Sequence, residues 1–244
     1  MSVRQVIGIH SCKEALKVRT SQELKKMYVK QNWDQNPYLK ALVDLARAKN
    51  LQPETVSIKR LNRLIDPKGE IHQGVYLELE HSFEFDKISF SEGATILVLD
   101  RAQDPKNFGA IIRTAWLMGV EGIFISARNS VGLTPSVVKA ASGGLEHVPI
   151  FIKDNLRQCL EELKKRQFWI YALDSHSSKT IWAENLKGPK VFLLGGEGAG
   201  LRKSLKSLCD EALSIPQTEK NASYNVSVAT AIVLSEALRQ NQLR

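Results

Sequence analysis

Three stretches of this 244-residue chain concentrate residues that could do chemistry. The first is Asp100-Arg101-Ala102-Gln103-Asp104-Pro105-Lys106-Asn107-Phe108-Gly109, followed by Arg113. It begins where the apolar run Ala94–Leu99 ends, and open α/β sheets place ligands at the carboxyl ends of such strands. Asp104-Pro105 marks a turn, and Asn107 suits the N-cap of the helix that follows. Arg113 falls within an otherwise apolar helical run, with Ala110-Ile111-Ile112 before it and Ala115-Trp116-Leu117 after. A buried guanidinium costs on the order of several kcal/mol unless paired. Arg113 is therefore expected to meet a polar or anionic partner: a ligand or, in a purely structural pairing, Asp100 or Asp104.

The second stretch is Gly195-Gly196-Glu197-Gly198-Ala199-Gly200-Leu201, after the strand-like Val191–Leu194. Such a run lets the backbone turn tightly and approach a ligand closely, although the same composition also makes an ordinary turn. No starting point supplies the glycine spacing of a dinucleotide fingerprint. Gly200 is followed by Leu201 and not by the Lys-Ser/Thr of a phosphate-binding loop, so NAD binding and nucleotide hydrolysis are disfavoured. The third stretch is Ile215-Pro216, then Ser223-Tyr224-Asn225-Val226-Ser227-Val228-Ala229 entering the last helix. Ser and Asn there suit helix capping, and facing the glycine turn they could also hold a polar substrate. The five histidines form no metal-binding pattern, and the nucleophile elbow of an α/β-hydrolase is missing.

Alternating elements must position these stretches. Residues 94–244 read as strands Ala94–Leu99, Val120–Ser126, Val148–Ile152, Phe168–Leu173, Val191–Leu194 and Ala212–Ile215. Between and after them lie helices Phe108–Met118, Pro135–Ser142, Leu156–Arg166, Leu201–Leu208 and Val226–Arg239. Strands apolar on both faces, alternating with helices, imply a parallel sheet covered on both sides. Residues 1–80 read as a smaller α/β domain, with strand-like Ile7–Ile9, Lys26–Lys30, Val56–Lys59 and Val75–Glu80 and helices Cys12–Val18 and Pro37–Lys49. The polar stretch 81–93, with scattered Phe, reads as a linker on which the first domain could move.

Composition narrows the class. The formal charge of +8 favours a polyanionic partner, and residues 1–80 and 94–244 each carry a net +5, so both domains are expected to touch it. Cys12, Cys159 and Cys209 are scattered and odd in number, which fits a reducing compartment and argues against a disulfide framework or a zinc site. Neither a secretory leader nor a membrane-spanning apolar run is present, so a cytoplasmic location is expected.

Taken together and in order, the three stretches resemble the motifs of the SpoU (TrmH) family of RNA ribose 2′-O-methyltransferases, in the SPOUT superfamily. The first is similar to that family's Asp-Pro-x-Asn-x-Gly-x-x-x-Arg, the second to its Gly-x-Glu-x-x-Gly, and the third to its Ser-x-Asn-x-Ser-x-Ala. Lys139-Ala140-Ala141-Ser142-Gly143-Gly144-Leu145-Glu146-His147-Val148-Pro149 resembles the segment between motifs. At the front, Ile7-Gly8-Ile9-His10-Ser11 and His72-Gln73-Gly74-Val75 resemble the subgroup with a small substrate-binding domain related to RNA-binding ribosomal proteins.

The resemblance implies an α/β fold whose parallel sheet is flanked by helices and closed by a C-terminal trefoil knot. It implies a homodimer, with Val228, Ala231, Ile232 and Ser235 of the last helix near the interface. S-adenosylmethionine would be the cofactor, held by Leu194, Gly195, Gly200, Ile215 and Tyr224, with no metal. Arg113 would be the principal catalytic residue, oriented by Asn107 and Glu197, with Ser223 and Asn225 positioning the ribose or the donor's methionine end. The expected substrate is a guanosine of large-subunit ribosomal RNA; ribose methylation of transfer RNA and a non-catalytic RNA-binding protein are the alternatives. The family usually has Gly and then Leu where Lys106 and Phe108 stand, Leu where Tyr224 stands, and Met and Gly where Gln217 and Glu219 follow Pro216. Tyr224 and Glu219 are therefore where cofactor packing or dimer contacts would differ.

Overall fold

The computed structural model describes residues 3–65, 71–80, 85, 88–196, 200–219 and 222–242. They fall into two compact units, one of residues 1–83 with 133–147, the other of residues 84–132 with 148–244.

The first unit holds β1 (Val3–Ile7), α1 (Ile9–Val18), β2 (Leu24–Lys30), α2 (Pro37–Ala48), β3 (Glu54–Val56), α3 (Ile58–Leu64) and β4 (Val75–Glu80). Its sheet has the order β1-β4-β2-β3, with β4 antiparallel to both neighbours and β3 parallel to β2. Pro37 opens α2, and the Asn36 side chain accepts from the Tyr38 and Leu39 amides. Leu39, Leu42, Val43 and Ala46 then recur at helical spacing on the buried face. The expected strand at Val56–Lys59 is instead the end of β3 and the start of α3: the Ser57 side chain accepts from the Arg60 amide and turns the chain into a helix.

The loop before β4 is fixed by a buried imidazole. The Gly74 amide donates to His72 Nδ1 at 2.9 Å, so Nε2 carries the proton toward Asn62 Oδ1 at 2.7 Å. Burial, then the charge of Lys30, holds this ring below the ordinary histidine value of 6.5. The unfolded chain therefore takes up this proton at higher pH than the folded one. Stability linked to His72 is complete above about pH 6.5 and is lost as pH falls through the folded midpoint. A ring-carbon NMR titration should place the His72 midpoint below 6.5; a midpoint at or above that value would contradict this arrangement.

The segment Leu133–His147 leaves the second unit and packs in the first, which a single division at 81–93 does not anticipate. It carries α5 (Pro135–Ala141) and a 3-10 turn ending at Glu146. Glu146 is buried there between two arginines. Arg4 Nη2 lies 2.6 and 2.7 Å from its two carboxylate oxygens, and Arg19 Nε donates to Oε2 at 2.8 Å.

The second unit is a six-stranded sheet, parallel throughout. Its elements are β5 (Thr95–Asp100), α4 (Pro105–Leu117), β6 (Gly122–Ser126), β7 (Ile150–Lys153), α6 (Leu156–Lys165), β8 (Trp169–Leu173), β9 (Lys190–Gly195), α7 (Lys203–Lys206), β10 (Glu211–Leu213) and α8 (Val226–Gln242). The strand order is β10-β8-β9-β5-β6-β7. Every residue of β5 is buried, as a continuous apolar run at the centre of a parallel sheet requires. The helix expected over Leu201–Leu208 is only the single turn α7.

The stretch 81–93 is not simply a polar linker. Phe85 is buried, edge-on to Phe124 and Phe151 with ring centroids 5.0 and 5.6 Å away, and the Arg166 guanidinium lies 4.3 Å from its ring centroid. Phe90 packs edge-on to Phe168. Burying these rings outweighs the polar residues between them, so the described part of this stretch belongs to the second unit. No helix among the described residues is long and apolar enough to cross a membrane.

Candidate active site

The strand order reverses at the β5–β9 pair: β6 and β7 follow on one side, β8 and β10 on the other. At such a point the loops leaving the strand ends diverge and open a crevice. Asp100 pairs in register with Gly195, and just beyond lies a pocket of about 300 Å3. Leu99, Phe108, Ile111, Leu194 and Val226 give it apolar walls. Asp100, Arg101, Gln103, Asp104 and Asn107 supply polar groups.

The first stretch is folded by Asp104, whose carboxylate accepts from the amides of Lys106 at 2.6 Å and Asn107 at 3.2 Å. Pro105 occupies the first helical position. Asp104 is thus the N-cap of α4, in place of the expected Asn107. That leaves the Asn107 side chain in the pocket, where its Oδ1 accepts from Asn225 Nδ2 at 3.1 Å. Asn225 Oδ1 in turn accepts from the Ser227 amide and hydroxyl at 2.9 and 2.7 Å, turning the chain into α8. Two side chains 118 residues apart in sequence therefore join the first and third stretches directly.

Gly195 and Gly196 pack too closely for side chains. A Cβ on Gly195 would lie 2.4 Å from the Gly200 carbonyl carbon, and one on Gly196 would lie 2.5 Å from the Arg101 carbonyl oxygen. Gly196 and Gly200 pair as an antiparallel bridge that closes the turn. Asp100, fully buried, holds Arg202 just beyond: Oδ2 accepts from Arg202 Nε at 3.0 Å, and Oδ1 lies 2.8 Å from Nη2.

Of the residues predicted from sequence, Asn107, Leu194 and Gly195 line the pocket and Asn225 is bonded to it. Gly200, Ile215, Ser223 and Tyr224 do not line it. Ile215 is buried after β10, while Tyr224 is exposed and its hydroxyl donates to the Pro216 carbonyl at 3.3 Å. Gln217 closes the same loop, its Nε2 donating to the carbonyls of Glu219 and Ala222. Glu197 lies outside the described residues.

Arg113 corrects the sequence reading most sharply. It is exposed, and neither Asp100 nor Asp104 pairs with it. Asp100 is taken by Arg202 and Asp104 by the helix cap. At about 100° per residue, Arg113 stands about 120° around α4 from Asn107. It shares an outer stripe with Lys106, Ala110 and the 65% exposed Leu117.

Arg101 and Arg202 are functional candidates that sequence reasoning missed, because nothing in their local pattern distinguishes them from surface arginines. Burial pushes the three thiols up, Cys209 to about 11, which disfavours their thiolate forms. Among the described residues no cluster of His, Cys, Asp and Glu could hold a metal ion.

The model of the SpoU rRNA Methylase family matches residues 94–235, and a model described as RNA 2′-O ribose methyltransferase substrate binding matches residues 5–84. The chain is 33% identical to a 23S rRNA (guanosine-2′-O-)-methyltransferase of Shewanella oneidensis over 97% of each chain. It superposes with a TM-score of 0.85 on the SpoU methyltransferase AviRb of Streptomyces viridochromogenes, solved with AdoMet, at 21% identity over 98% of this chain and 90% of that one. An rRNA methyltransferase of Sinorhizobium meliloti gives 0.81 at 25% identity, over 99% and 88%.

Proposed function

This chain belongs to the SpoU rRNA methylase family, and from that premise we propose that it methylates the ribose 2′-oxygen of a guanosine in large-subunit ribosomal RNA, using S-adenosylmethionine. The observation that carries this reading is the Asn107–Asn225 hydrogen bond at the mouth of a pocket bounded by the glycine turn. It unites the family's first and third motifs around the second.

The residues present fit the donor. Backbone at Gly195 and Gly196 is bare where any Cβ would collide, and the neighbouring pocket has both apolar walls and polar groups. Leu194 and Gly195, which line that pocket, are assigned to hold it, and Gly200, Ile215 and Tyr224, which do not line it, are assigned from the family resemblance. When bound, it supplies a methyl group already activated on a sulfonium centre. The protein's own task is to align the 2′-oxygen and to stabilise the charge that develops as its proton leaves. Asn107, Asn225, Ser223 and Glu197 are assigned to alignment, and Arg113 to charge. An arginine keeps its proton to above about pH 12, so Arg113 serves as a fixed cation gripping phosphate and alkoxide, not as a base, and the proton of the 2′-hydroxyl passes to solvent water as the methyl leaves the sulfonium.

The exposed position of Arg113 beside Leu117, together with Val228 exposed on α8, supports a homodimer in which α4 and α8 meet a second copy. A trefoil knot at the C-terminal end and a cytoplasmic location complete the reading. Because a 2′-O-methyl group blocks alkaline cleavage at its own linkage, treated ribosomal RNA should show one new alkali-resistant position. Methylation that leaves the alkaline ladder unchanged would place the group on a base and refute the assignment.

Lys106, exposed at the first turn of α4, is expected to contact a phosphate. Lys106→Ala should lower the slope of log affinity against log salt by about one. An unchanged slope would remove this contact.

A further inference from the structure

We propose that Arg101 is a positioning residue that latches the Gly195–Gly200 turn for the methyl donor; this rests on the functional reading above. Arg101 directly follows β5 and adopts φ of 62°, a left-handed conformation that non-glycine residues seldom take. A strained backbone persists where the surroundings over-determine it. Here they do. The Arg101 carbonyl lies under Gly196, which tolerates no Cβ against it, and the guanidinium reaches across to donate from Nη2 to the Gly200 carbonyl at 2.9 Å. One residue thus meets the turn at both ends, packing its carbonyl against Gly196 and hydrogen-bonding Gly200 through its side chain.

The chain beyond the turn is held by the preceding residue. Asp100 accepts from the Arg202 amide at 3.3 Å and pairs with the Arg202 guanidinium. The two holds differ in character. Both residues border the pocket, but the Asp100 side chain is completely buried, whereas that of Arg101 is 27% exposed. Its Nε lies 3.8 Å from Asp100 Oδ2, so the guanidinium is steered by that charge without being consumed by it. A reachable anchor on a glycine-rich turn sets how well that turn is preorganised for a ligand.

Backbone strain separates this role from a structural one. Arg101→Gly removes the latch and also relieves the left-handed backbone, so an arginine serving only the fold would show its loss in the melting temperature and leave donor affinity unchanged. The latch predicts a melting temperature no lower than wild type with a Kd for S-adenosylmethionine, measured by calorimetry, weakened about tenfold, as loss of one charge-assisted hydrogen bond implies. The KM for the donor should rise by a similar factor, with kcat falling less and the KM for RNA holding. Arg101→Ala should lose the same affinity while melting lower, because the strain stays. Arg101→Lys, still able to reach the Gly200 carbonyl, should recover most of the affinity. Wild-type donor affinity in Arg101→Gly, or a loss confined to RNA affinity, would overturn the latch. A wild-type protein that binds no S-adenosylmethionine would instead refute the functional reading and the latch with it.

Discussion

Arg113→Ala should lower methyl transfer about 10²–10³-fold, the usual effect of removing one preorganised group that stabilises developing negative charge, while leaving the melting temperature essentially unchanged. The two halves of this expectation come from one observation. Arg113 is exposed and makes no hydrogen bond or ion pair with the described residues, so its removal breaks nothing in the fold. An arginine placed in a largely apolar helical run and left without a partner among the described residues is available to one from outside. RNA phosphate and the developing alkoxide are the partners the proposed reaction supplies. Arg113→Lys keeps the charge and loses the planar fork, so it should fall between the two. A lysine variant at the wild-type rate, or an alanine variant that melts well below wild type, would each contradict the role assigned to Arg113.

Glu146→Ala should cost about 3–5 kcal/mol of stability, the range seen when one partner of a buried ion pair is removed. Glu146 is almost fully buried, and both carboxylate oxygens are engaged by Arg4 while Arg19 adds a further bond to Oε2. Arg19 also donates to the Glu146 carbonyl at 3.1 Å. Removing the carboxylate takes a shared buried counter-charge from both Arg4 and Arg19. Replacing all three members with apolar residues of similar volume should be far less harmful than the single change, because no charge is then stranded. Urea unfolding of the single and triple variants checks this; equal stability of Glu146→Ala and wild type would mean the triad carries no weight.

The methyltransferase unit was largely legible because its central strands are buried on both faces. Runs such as Ile96-Leu97-Val98-Leu99 leave little other reading, and the glycine stretch ends one of them. What stayed hidden depends on partners distant in sequence. Glu146 sits in a segment that reads as an ordinary link between two strands, and only Arg4 and Arg19, more than a hundred residues earlier, draw it into the first unit. Phe85 and Phe90 stand among polar residues, so their docking onto Phe124, Phe151 and Phe168 could not be read locally. Arg113 was legible in principle. Ile111 and Ile112 beside it are buried, but Arg113 shares its helix face with the exposed Lys106 and Leu117, and the face decides burial. The Ser57 cap of α3 was likewise present in the sequence, masked by the β-branched residues on either side.

The most direct test of the central claim is methyl transfer from labelled S-adenosylmethionine to unmodified ribosomal and transfer RNA, offered separately, followed by nucleoside analysis. The expected result is label in 2′-O-methylguanosine from large-subunit ribosomal RNA alone. Label only in transfer RNA would keep the chemistry and contradict the substrate, and label in neither, with RNA binding intact, would contradict the enzyme.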